Sequence, residues 1–180
     1  VRFNAEAKEN EELEKEGAAE FLKLEQGDKE NRKLWEWFKE ESLKEIQVVY
    51  DLLDVKFDTY MSESDFEDRM ESTVKELLDK KVAKVSEGAV IVPLDEENLP
   101  PGLIRKSDGA SLYLTRDIAA LEYRLREYKP AKLLYVVGNE QSLHFSQLLA
   151  TAKKLGLLGD AEVVHVKYGL LLTEAGKKMS

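Results

Sequence analysis

The sequence predicts an α/β protein, with a doubly wound parallel sheet in its second half preceded by an acidic helical stretch and a β-hairpin. Three observations carry this. Leu133-Leu134-Tyr135-Val136-Val137 is a continuous apolar run ending at Gly138, which suits a parallel strand buried on both faces. A second strand pattern at 162–166 follows a helical pattern at 141–155, so the order is helix, strand, helix, strand, the grammar of doubly wound folds. Upstream, Ala83-Lys84-Val85 and Ala89-Val90-Ile91-Val92 flank Ser86-Glu87-Gly88, which is hairpin chemistry.

The elements follow in order. Residues 6–25 are dense in Glu, Lys, Ala and Leu, all good helix formers. Gly27-Asp28 breaks that run and offers an N-cap. Over 29–54, Leu34, Trp37, Phe38, Leu43, Ile46, Val49 and Leu53 recur mostly three or four apart, so the helix there must bury one face. Trp35 lies off the stripe. Two positions from Trp37, it cannot share its core, and one of the pair is expected to mark a contact with another domain. Lys56-Phe57-Asp58-Thr59-Tyr60 alternates as a strand does.

Ser64 with Glu67 resembles a capping box before a helix over 66–80. The polar, proline-bearing stretch 95–101 is expected to be mobile. Leu103-Ile104-Arg105 reads as a short strand, and Ser107-Asp108-Gly109 as a turn. The segment 114–128 reads as a helix with Leu114, Ile118, Leu121 and Leu125 on one face. Two regions are expected: a helical insertion with its hairpin over 1–101, and the sheet-bearing region over 102–180.

Composition narrows the function. The chain has 180 residues, no cysteine and a formal net charge of −9. Disulfide and thiolate chemistry are excluded, which fits a cytoplasmic protein. The acidic balance argues against this stretch being the main grip on nucleic acid, because phosphate binding needs a basic footprint. No apolar run is long enough to span a bilayer. Neither end has the form of a natural terminus, so the chain reads as part of a longer one.

Three clusters are candidate sites. The first is Gly138-Asn139-Glu140-Gln141-Ser142-Leu143-His144, where a strand feeds a helix. Ligands of open parallel sheets bind beyond the carboxyl ends of the strands, Gly138 allows close backbone approach, and a helix N-terminus presents free N–H groups. A plain strand-to-helix turn with polar caps is the alternative. The second is Tyr113 with Asp117, four apart on one helical face, an aromatic hydroxyl and a carboxylate that together suit a guanidinium. Local pairing of Asp117 with Arg116 or Arg124 is the alternative. The third is the tail from His165 to Gly169 and on to Lys177-Lys178-Met179-Ser180, where lysine could approach phosphate or simply be solvated. His144 and His165 lack the company a metal site needs. His144 is expected to stack or hydrogen-bond, and His165 to be a strand residue with one polar contact.

Read together, these strings resemble the arginyl-tRNA synthetase family. The resemblance lies in Lys106-Ser107-Asp108-Gly109 with Leu112-Tyr113-Leu114-Thr115-Arg116-Asp117-Ile118-Ala119, in Tyr135-Val136-Val137-Gly138-Asn139-Glu140-Gln141-Ser142-Leu143-His144-Phe145, and in His165-Val166-Lys167-Tyr168-Gly169-Leu170 leading to Lys178-Met179-Ser180. Lys23-Leu24-Glu25-Gln26-Gly27-Asp28 and Leu34-Trp35 are similar to the family's insertion region, and Phe57-Asp58-Thr59-Tyr60 to its next strand.

The resemblance implies the C-terminal half of a class I nucleotide-binding, Rossmann-like catalytic sheet. It implies arginine binding by Tyr113, Asp117 and Gln141. It implies ATP binding by Gly138, His144, Val166 and Gly169, with Lys178, Met179 and Ser180 at the start of the loop that steadies the phosphates. The implied reaction joins arginine to tRNA(Arg) at the expense of ATP, with Mg2+ as counterion.

The family's His-Ile-Gly-His-type motif is not in the sequence, and Met61-Ser62-Glu63-Ser64 departs from the family's Gly-Glu-Ser pattern. This stretch alone is therefore expected not to aminoacylate tRNA. The alternatives are a catalytically dead paralogue that senses arginine or binds a partner, an interaction domain built on the acidic helices, and a related class I synthetase of other specificity. The last is disfavoured, since a neutral substrate would leave Asp117 unpaired.

Overall fold

The computed structural model describes residues 2–8, 10–107, 109, 112–174 and 176. Its contacts divide the chain into two compact units, Val1–Tyr60 and Met61–Ser180. This division falls earlier than the boundary read at 101/102. The hairpin strands pair with the strand beyond Pro100-Pro101 and share one core with the helices that follow.

The first unit is helical. The single helix expected over 6–25 is two, α1 (Arg2–Ala7) and α2 (Glu11–Glu25). Asn10 separates them because its side chain accepts from the Glu12 N–H and caps α2, a role asparagine fills better than it propagates a helix. Phe3 lies over Gly17, where an added Cβ would sit 2.7 Å from the ring. At the far end Gly27 turns left-handed (φ 82°) and the Asp28 N–H donates to the Lys23 carbonyl, the bond that closes a Schellman cap. Asp28 then caps α3 (Lys29–Leu52) by accepting from the Glu30 and Asn31 N–H groups. Asn31 also reaches back to Glu20, donating to its carboxylate at 2.9 Å.

The apolar stripe of α3 is present as expected, but within this unit it is exposed from Leu34 through Leu53. Residues 56–60 are not a strand. Phe57 folds back between Tyr50 (4.8 Å) and Tyr60 (5.8 Å), and the Tyr60 hydroxyl donates to Gln47. Alternating aromatics here form a clasp on the helix rather than a sheet edge.

The second unit carries the sheets. The capping box uses Ser62 and Asp65, whose carboxylate accepts from the Ser62 N–H at 2.6 Å, rather than Ser64 and Glu67. A 3-10 turn, Glu63–Arg69, leads into α4 (Met70–Asp79). Strands β1 (Lys84–Ser86) and β2 (Ala89–Val92) form the expected hairpin. Its two turn residues, Glu87 and Gly88, both have positive φ (50° and 80°), the type I′ geometry that matches strand twist. Strand β3 (Gly102–Arg105) pairs antiparallel with β2, giving the order β1-β2-β3 with a register shift between Val90 and Ile91.

The connection before β3 is pinned rather than mobile. Leu94 is buried, Lys154 pairs with Glu96 and Glu97, and the Gln147 side chain donates to the Pro100 and Pro101 carbonyls. In the turn after β3 the Gly109 N–H donates to the Lys106 carbonyl, and Asp108 lies outside the described residues.

Helix α5 (Tyr113–Tyr128), strand β4 (Lys132–Gly138), helix α6 (Ser142–Leu155) and strand β5 (Glu162–Tyr168) follow in the predicted order. β4 and β5 are parallel and in register from Lys132↔Glu162 to Gly138↔Tyr168. The core lies between α4, α5, α6 and the antiparallel sheet, around Leu77, Val92, Leu94, Ile104, Ile118, Leu121 and Leu148. The parallel pair joins it through Leu133, Tyr135, Val137 and Val163. β4 is buried on one face only, since Leu134 and Val136 are 54% and 64% exposed. Among the described residues no helix is long and apolar enough to cross a membrane.

Candidate functional site

The site forms where α5 and the first turn of α6 meet at the carboxyl end of β4. A close approach and a hydrogen bond orient α5. Gly102 lets β3 approach so closely that an added Cβ would lie 2.8 Å from Leu114. The buried Thr115 hydroxyl donates to the Ile104 carbonyl at 2.6 Å. The apolar face set by Leu114, Ile118 and Leu121 is buried, which leaves Asp117 on the flank that faces α6. β4 ends at Gly138, a 3-10 turn (Asn139–Gln141) follows, and α6 begins at Ser142. The Ser142 hydroxyl donates to the Asn139 carbonyl at 2.5 Å, which shapes that turn.

Asp117 and His144 are thereby joined. Oδ2 of Asp117 lies 2.6 Å from Nε2 of His144. Because a carboxylate only accepts, the ring nitrogen donates. Both side chains are partly covered, 31% and 23% exposed respectively. The local pairing weighed for Asp117 is not what forms. Arg116 is 3.6 Å from Glu63 and sits over the Tyr113 ring, while Arg124 donates to the Tyr135 hydroxyl at 3.1 Å. Burial pushes the Tyr135 hydroxyl above its usual range, and the Arg124 guanidinium draws it part of the way back.

Behind His144 the packing is aromatic. Phe145 is buried, meets the His144 ring edge-on at 5.5 Å and stacks on His165 at 4.3 Å. His165 has its one polar contact, donating from Nε2 to the Val137 carbonyl at 2.9 Å. Its Nδ1 is buried without a hydrogen-bond partner among the described residues.

The other expected site residues are spread around this pair. Tyr113 opens α5 with its ring exposed, and Gln141 is exposed at the N-cap of α6. Gly138 leaves room that a Cβ would lose to the Glu140 carboxylate at 2.5 Å. Val166 and Gly169 are exposed at and just beyond the end of β5, with open space at Gly169. Lys178, Met179 and Ser180 lie outside the described residues. Sequence reasoning passed over Thr115, Phe145 and the Arg124–Tyr135 pair. The signal was there for Tyr135, a hydroxyl inside an apolar strand run, which needs a partner when buried. Among the described residues no group of three or more His, Asp or Glu side chains could hold a metal ion.

A parallel strand–helix–strand unit with polar side chains gathered where its first strand ends is the ligand-binding end of a doubly wound α/β fold. A family described as "tRNA synthetases class I (R), catalytic domain" matches residues 1–180. Among curated proteins, the chain is 52% identical to an arginine–tRNA ligase from Enterococcus faecalis and 53% identical to one from Exiguobacterium sp.. Each match covers 100% of this chain and 32% of the relative.

Among solved structures, arginyl-tRNA synthetase from Plasmodium falciparum aligns with a TM-score of 0.79 at 28% identity, covering 91% of this chain and 29% of that one. A putative arginyl-tRNA synthetase from Campylobacter jejuni shares the fold, with a TM-score of 0.68 at 21% identity over 92% of this chain and 37% of that one. The chain belongs to the arginyl-tRNA synthetase family, within its class I catalytic domain, and spans about a third of the length of the curated relatives it matches.

Proposed function

We propose that this chain forms the arginine-reading part of an arginine–tRNA ligase, which activates arginine with ATP and transfers it to tRNA(Arg). The observation that carries this is the partly buried Asp117 carboxylate, held by His144 at the carboxyl end of β4. A fixed anion in a partly dehydrated site favours a guanidinium, whose planar fork matches a carboxylate. Tyr113 and Gln141, at the starts of the two helices that bear the pair, complete the arginine pocket. Gly138, Val166 and Gly169 serve the ATP side, Lys178, Met179 and Ser180 its phosphates, and His144, which the resemblance puts beside ATP, is given instead to Asp117, to which it is bonded. Family membership supports ATP as the co-substrate. Magnesium would enter with the ATP phosphates. The absence of cysteine and the kinship with arginine–tRNA ligases support a cytoplasmic setting.

The test is tRNA-dependent ATP–pyrophosphate exchange by the complete gene product with arginine, lysine and citrulline. Exchange with arginine alone is the expected result. A folded protein that exchanges with none of the three, in the presence of its tRNA, overturns the reading in favour of a binding-only role.

A further inference from the structure

We propose that His144 is a positioning residue for cation recognition, one that fixes the Asp117 carboxylate so that it meets a guanidinium already oriented. This rests on the arginine reading of Asp117. A carboxylate has about four lone-pair positions, and the His144 N–H occupies one of them, on Oδ2. Among the described residues no other hydrogen bond to Asp117 forms, which leaves Oδ1 and the second lone pair of Oδ2 for a two-pronged guanidinium contact.

The imidazole is well placed to act as a fixed prop. Its ring is backed edge-on by the buried Phe145, and Phe145 is stacked in turn on His165, which is tied to the Val137 carbonyl. The orientation of Asp117 is thereby referred to the backbone of β4, through rings rather than through solvent. The neighbouring cations are committed elsewhere, Arg124 to Tyr135 and Arg116 to Glu63. The imidazole N–H holds one carboxylate oxygen at 2.6 Å and leaves the other to face the substrate cation. Pre-organisation of this kind acts on binding of the group it orients, so its loss should register on arginine and not on ATP.

The experiment compares His144→Ala and His144→Gln in the complete gene product, with KM for arginine and KM for ATP measured separately in the exchange reaction and thermal melting as the folding control. His144→Ala should raise KM for arginine roughly tenfold, the scale of one hydrogen bond to a charged group, and leave KM for ATP within about twofold. His144→Gln, which keeps an N–H donor on a side chain of similar reach, should recover most of the loss. A rise confined to KM for ATP overturns the proposal, as does an equal loss in both variants or a fall in melting temperature that accounts for both. If the unsubstituted protein does not use arginine, both the proposal and the function reading fall. If it does and the variants behave otherwise than stated, only the proposal falls.

Discussion

Asp117 and His144 stand 27 positions apart in the chain and 2.6 Å apart in space. They meet because Thr115 locks the start of α5 to β3 while β4 and its following turn aim the first turn of α6 at the same point. The residues that build this unit and its site can be probed one at a time.

The Thr115 hydroxyl is the first. It is fully buried and gives the Ile104 carbonyl its partner on the α5 side. Thr115→Val keeps the shape and removes this bond while burying no new polar group, so stability should fall by about 1–2 kcal/mol. Chemical denaturation read by circular dichroism checks this. An unchanged midpoint would mean that packing alone holds α5 to β3.

Gly88 is the second. Its φ of 80° closes the hairpin, and an added Cβ would also lie 3.3 Å from Ser107. Gly88→Ala should cost about 1 kcal/mol through backbone strain. Replacing the exposed Gly159, at φ 52° with open space around it, tests the strain without the contact.

The core makes a third. Leu148 is fully buried where α6 meets the rest of the second unit. Leu148→Ala should cost about 2–5 kcal/mol, the range for emptying a buried leucine site, and a thermal melt measures it.

The alkaline limit of stability is a fourth. Tyr135 is held above its usual range by burial, with Arg124 opposing. The folded state therefore retains the phenolic proton longer than the unfolded chain. Its contribution is complete below the ordinary tyrosine value of about 10 and is lost as pH rises through the higher folded value. Stability should decline across that window, and Tyr135→Phe should make the decline shallower. A slope equal in both proteins would show that Tyr135 is not its source.

Much of this fold is legible in the sequence because periodicity and turn chemistry are local. The run ending at Gly138, the amphipathic pattern from Leu114 to Leu125 and Glu87-Gly88 each carry their structure within a few residues. The failures were also physical. Asn10 splits a composition that favours helix throughout, because capping outweighs propensity there. Two overlapping capping patterns lie at 62–67, and the sequence does not say which is used. Residues 56–60 alternate, but Tyr50 captures Phe57 first. The apolar run of β4 led to an expectation of two buried faces, whereas the described residues cover one. At the site, Asp117 and His144 were each visible as candidates. Their bond was not, since it depends on two helices and a strand folding against one another.

The central claim is that Asp117 reads the guanidinium, and the most direct measurement is selectivity between arginine and citrulline in the complete gene product, with and without Asp117→Asn. Citrulline replaces the cationic guanidinium by a neutral urea of nearly the same shape. The unsubstituted protein should prefer arginine strongly. Asp117→Asn should lower kcat/KM for arginine by about 2 kcal/mol, roughly thirtyfold, and narrow the gap to citrulline. An Asp117→Asn protein that keeps both its arginine kinetics and its discrimination would contradict the claim.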